Sequence, residues 1–154
     1  TGSSDYELDL SELPPQLRGK KQVIINVTGT LPSGQKVTSK IPFRIKSLPV
    51  PYGTLDRTKP KSLKKSELTS STVTATFGED FDFDLPLRVR GFKITVAGVG
   101  SQVVSGNELD GQAKSLVQRA RNNTIVTITD IQTRAIGSTT EIKEATDISF
   151  IIVN

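Results

Sequence analysis

Hydrophobic positions in this chain recur mostly with a period of two, and that pattern predicts strands. Val23, Ile25 and Val27 alternate with Gln22, Asn26 and Thr28. Leu31-Pro32-Ser33-Gly34 then supplies turn chemistry. A second alternation follows, with Val37, Ile41, Phe43 and Ile45 on one parity and Lys40, Arg44 and Lys46 on the other. The two runs predict paired, half-buried strands. Residues 5–20, with Pro14-Pro15 and Gly19, add at most one short strand. Two strands do not make a stable domain alone. Residues 1–48 therefore read as the C-terminal strands of an incomplete immunoglobulin-like sandwich. They are completed by the next domain or by another chain, or else keep an open edge.

Pro49-Val50-Pro51 reads as a stiff linker, because each proline sets its own φ and pushes its neighbour toward extended backbone. Beyond it, residues 49–154 predict a β-rich C-terminal domain with one helix near 110–121. Residues 72–77 form a candidate strand. In residues 87–96 the apolar parity changes midway: Leu87 and Val89 share one phase, Phe92, Ile94 and Val96 the other. Gly91 sits at the change, as expected for a β-bulge. Gly98 and Gly100 mark a hairpin turn. Ala113, Leu116, Val117 and Ala120 recur at helical spacing, with Asp110 placed to cap the start and Asn122-Asn123 to end the helix. Ile125, Val126, Ile128 and Ile131 predict another strand, residues 134–140 a polar turn, and Ile148, Phe150 and Ile152 a final strand. Ile151 and Val153 lie on that strand's other face, which suggests burial on both sides or an interface.

Composition narrows the chemistry. The 154 residues include no His, Cys, Met or Trp. Ser/His and Cys/His nucleophiles and nearly all transition-metal sites are thereby excluded. We expect a non-enzyme with no catalytic residue, no cofactor and no metal. No apolar run approaches the ~18 residues that would cross a membrane. The chain does not start with Met, as expected of a piece or a processed product whose signal or anchor lies upstream.

Two charged stretches remain. Residues 53–71 read as a long polar loop carrying Lys59, Lys61, Lys64 and Lys65. The stretch lacks interleaved aromatics for base stacking, and the net charge is only +4. An acidic protein partner fits it better than nucleic acid. Asp80, Asp82 and Asp84 alternate with Phe81, Phe83 and Leu85, which would put three carboxylates on one strand face. The spacing evokes a calcium loop, but Leu85 stands where such a loop needs Gly. A solvated strand face explains the carboxylates without a metal, and both stretches are candidate partner surfaces. A cell-surface carbohydrate- or calcium-binding β domain is the alternative function, and a two-carboxylate hydrolase a more distant one.

The order of these features is itself informative. Phe43-Arg44-Ile45-Lys46 with Pro49-Val50-Pro51, then Phe81-Asp82-Phe83-Asp84, then Phe92-Lys93-Ile94-Thr95-Val96, the single helix and Thr129-Asp130-Ile131 resembles the GldM/PorM family. The likeness runs from about Lys21 to the C-terminus. Ile136-Gly137-Ser138-Thr139 replaces the Gly-Pro-Asp-Gly turn usual there. The resemblance implies a periplasmic shaft component of the type IX secretion and gliding machinery of Bacteroidetes, anchored in the inner membrane. It implies a homodimer, a GldL-like inner-membrane partner bound elsewhere in the protein, and GldK- and GldN-like ring proteins at the outer membrane. Motion of the motor would pass along the shaft to the ring.

Overall fold

The computed structural model describes residues 22–44, 47–81, 83–138 and 140–153. The chain is mainly β, as expected. It divides into two compact units, Thr1–Leu48 and Pro49–Asn154. Ile45, Lys46 and the short strand considered within residues 5–20 lie outside the described residues.

The described part of the first unit is one antiparallel hairpin, β1 (Gln22–Thr30) paired with β2 (Lys36–Arg44). The turn between them places Gly34 at φ 81, a conformation that glycine adopts without a Cβ clash. The register sets Val23 opposite Phe43, Ile25 opposite Ile41 and Gly29 opposite Val37. Directly opposed residues share a face, so the apolar parity of both strands converges on one side. Val27, Val37, Ile41 and Phe43 on that side remain exposed.

The second unit contains β3 (Tyr52–Leu55), β4 (Ser62–Lys64), α1 (Lys65–Ser70), β5 (Val73–Thr76), β6 (Leu87–Val96), β7 (Gly100–Ser105), α2 (Gly111–Arg119), β8 (Ile125–Ala135) and β9 (Ile148–Val153). Five strands make one sheet in the order β4-β9-β8-β6-β7. Only β4–β9 is parallel; the other neighbours are antiparallel. β3 and β5 form a separate antiparallel pair. One face of the large sheet carries the core: Phe92, Ile94, Val96, Val104, Val126, Ile128, Phe150 and Ile152 are buried together with Leu116 and Val117 of α2 and Leu68 of α1. α2 contacts β6, β7 and α1, and β5 contacts β6.

The predicted helix forms over Gly111–Arg119, and all four stripe residues are buried. Asp110 caps it by accepting from the Ala113 N–H at 2.8 Å, and Arg119 occupies the last turn, where the helix dipole favours a cation. A second, shorter helix, α1, was not anticipated. It lies in the stretch read as a polar loop, which also holds β3 and β4. That reading is corrected because two apolar residues there, Leu55 and Leu68, are fully buried. Lone leucines in a lysine-rich stretch give no periodicity, yet each fixes a short element to the core. Glu67 assists by accepting from the Lys64 N–H at the start of α1 (2.8 Å).

The central pair, β6 and β8, carries two register breaks rather than one. Moving from Val89 to Gly91 on β6 advances the partner only from Thr133 to Gln132. The extra residue on β6 produces the parity change read from the sequence. A Cβ at Gly91 would sit 3.0 Å from the Val104 carbonyl oxygen of β7, so glycine also permits close approach at this point. Between Gly91 and Lys93 the compensating extra residue is on β8, where Asp130 adopts φ 53. Asp tolerates that region better than most residues. Both strands thus switch phase at nearly the same height, and the core face stays apolar above and below the break. Arg134 and Ala135 belong to β8, so the polar turn begins later than predicted.

Candidate partner-binding surfaces

The lysines of the 59–65 stretch are held by local structure. The Lys59 ammonium lies 4.6 Å from the centre of the Tyr52 ring, a cation–π contact. The Lys61 carbonyl accepts from the Ile151 N–H at 3.1 Å, where β4 begins beside β9. Lys64 ends β4 as the N-cap residue of α1, and the Lys65 ammonium donates to the Gln118 carbonyl at 3.1 Å, near the negative end of α2. Of these contacts, those of Lys59 and Lys65 are made by the side chains, and those of Lys61 and Lys64 by the backbone.

The acidic stretch differs from expectation. The described residues of 77–86 form no strand, so no strand face gathers its carboxylates. Asp80 and Asp84 are exposed; Asp82 lies outside the described residues. The apolar members explain the departure. The Phe77 and Phe81 ring centres are 4.4 Å apart, and those of Phe81 and Phe83 are 5.5 Å apart. This aromatic chain starts at buried Phe77 and ends at Phe83, 74% exposed. An alternating strand would have put all three apolar groups against one layer. Here Gly78, at φ 88, turns the chain directly after β5, and the rings pack on one another.

In the linker, Val50 is exposed and Pro51 is buried. The Pro51 carbonyl accepts from the Thr146 N–H at 2.9 Å, which ties this residue into the second unit.

A surface not foreseen from the sequence lies on the solvent face of β6 and β8. Arg88 stands directly opposite Arg134, and Arg90 is two residues along β6 on an exposed position. The three arginines border a depression of about 700 Å³ whose lining also includes Asn107, Ile136 and Ser138. A second depression of about 510 Å³ shares Arg90 and Arg134 and reaches Glu141. Among the described residues, no carboxylate forms an ion pair with any of these guanidinium groups. The sequence signal was the Arg-x-Arg of β6. Its partner, Arg134, was assigned to a turn, and only the strand register brings it alongside.

Comparison with known proteins adds the family. No curated protein matches the chain. The family description "GldM C-terminal domain" matches residues 49–153, which is nearly the whole of the second unit. Of the features that resembled this family in sequence order, those from Pro49 onward, including the β6 strand, α2 and the Thr129-Asp130-Ile131 bulge of β8, fall within that match, while Phe43-Arg44-Ile45-Lys46 lies before it. The chain belongs to the GldM family of gliding and type IX secretion components, with residues 49–153 as its C-terminal domain.

Proposed function

We propose that this chain is part of a periplasmic shaft that carries motion from an inner-membrane motor to a ring associated with the outer membrane. The family match over residues 49–153 carries the reading. The C-terminal unit suits a mechanical role, since a single contiguous core links its five-stranded sheet, both helices and the β3–β5 pair. GldK- and GldN-like ring proteins are the proposed partners of this unit. A GldL-like protein would engage a membrane-anchored part elsewhere in the full protein. Among the described residues, no helix is long and apolar enough to cross a membrane. Contacts and stiffness, not catalysis, do the work in this proposal.

A homodimer is part of it. The exposed face formed by Val27, Val37, Ile41 and Phe43 in the first unit is the proposed subunit contact. A stable contact buries roughly 1,000 Å² or more.

The carbohydrate- or calcium-binding alternative drew on carboxylates aligned along a strand. The described residues of that stretch form no strand, and no observation favours the alternative. Recovery of ring lipoproteins with the tagged full-length protein, and their loss when residues 49–154 are deleted, tests the main reading. Unimpaired secretion by the deletion strain would refute it. Light scattering on the 154-residue chain tests the dimer, and a strict monomer at high concentration removes that element.

A further inference from the structure

We propose that the arginine-lined trough on β6 and β8 docks an extended acidic segment of a partner protein. The inference rests on the reading that this unit works through protein contacts, and it names the chemistry of one contact.

Like charges directly opposed across two strands destabilise a sheet. Arg88 and Arg134 are so opposed, with Arg90 adding a third cation on the same side. A purely structural role would favour a carboxylate at one of these positions, as an opposite-charge pair is stabilising there. None of the described residues supplies one. A carboxylate from outside would relieve the repulsion. Each guanidinium presents a planar fork that binds a carboxylate through two parallel hydrogen bonds.

Shape and lining select the ligand. The two depressions share Arg90 and Arg134, so the arginines line open surface on both sides. Glu141, in the second depression, makes no ion pair with them and disfavours acidic groups there, which places the carboxylates of a ligand at Arg88 and the first depression. Apolar contact along the lining comes from Ile136, 55% exposed, and from half-buried Ile142. An extended peptide that alternates acidic and aliphatic residues would match both parts, placing carboxylates on the arginines and side chains over Ile136. Nucleic acid fits less well, because the lining offers no aromatic ring for base stacking.

The test uses the 154-residue chain and a fluorescent ten-residue peptide of alternating Glu and Leu, with a Gln-for-Glu peptide as control. Saturable, salt-sensitive binding of the Glu peptide alone is expected. Arg88→Gln, Arg90→Gln and Arg134→Gln should each weaken it about tenfold, and Arg134→Lys less, since charge remains when the fork is lost. Lys114→Gln, at an exposed position of α2 that lines neither depression, should leave binding unchanged. Arg88→Gln should also melt no lower than the parent, because it removes a repulsion. Equal binding of both peptides, binding indifferent to all three arginines, or tighter binding of an oligonucleotide through the same arginines would each overturn the proposal. A chain that binds the peptide but recovers no ring protein refutes the shaft reading alone. Recovery of the ring without peptide binding refutes the trough alone.

Discussion

Gly53 and Thr146 lie so close that the backbone of one leaves no room for a side chain on the other. The Gly53 N–H donates to the Thr146 carbonyl at 3.2 Å and to the Thr146 Oγ1 at 3.3 Å. A Cβ at position 53 would run into that same carbonyl oxygen and into the Ile131 side chain. This contact joins the start of β3 to the segment leading into β9.

Gly53→Ala is therefore expected to destabilise the chain by ~1–3 kcal/mol, the range for overpacking a tight site. The carbonyl is backbone and cannot swing away, which favours the upper part of that range. Thermal or urea unfolding of the purified chain checks it. An unchanged midpoint would show that the two segments can separate at little cost.

Neighbouring residues of β9 should respond in opposite ways. Ile152 is fully buried, while Ile151 is 41% exposed on the opposite face. Ile152→Ala should cost about 2–5 kcal/mol through lost burial and a cavity. Ile151→Ala should stay within roughly 0.5–1 kcal/mol, nearer to a surface substitution. Comparable losses at both sites would mean that the outer face of β9 is also covered, for instance by a second subunit.

Asp110→Ala removes the side-chain acceptor for the Ala113 N–H at the start of α2. The expected loss is about 0.5–2 kcal/mol, and Asp110→Asn should recover most of it. A urea titration with a constant m-value would place the effect in the folded helix.

The bulge on β8 makes a backbone prediction. Asp130 adopts φ 53, where a β-branched side chain is strongly disfavoured. Asp130→Val is expected to cost about 1–2 kcal/mol. Asp130→Gly should be tolerated, since glycine reaches this conformation freely. If Val and Gly are equally stable, the register break can migrate along the strand.

The linker gives a functional prediction. Pro49→Gly with Pro51→Gly is expected to weaken secretion or motility through a floppier connection, with each unit still folded. Pro51 is buried, so the separate Pro49→Gly variant isolates stiffness from packing. Circular dichroism and a secretion assay on both variants decide the matter, and normal secretion in both would refute the stiff-linker idea.

Much of the fold was legible in the chain because the information is local. Alternation in residues 22–28 and 87–96 requires strands whatever lies opposite, and Ala113, Leu116, Val117 and Ala120 can share one face only in a helix. Gly91 announced its bulge through the parity change around it. The companion bulge was also encoded, since Ile128 and Ile131 cannot both face inward on an unbroken strand. Pairing alone revealed that it compensates the first. Isolated Leu55 and Leu68 carried no period, so their short elements emerged only from burial. The acidic stretch had a strand's alternation, but its phenylalanines gained more by packing together than by lining a sheet. The arginine trough lay furthest from reach: Arg88 and Arg134 lie on strands separated by β7 and α2 in the sequence, and only hydrogen-bonded register between β6 and β8 puts their charges side by side.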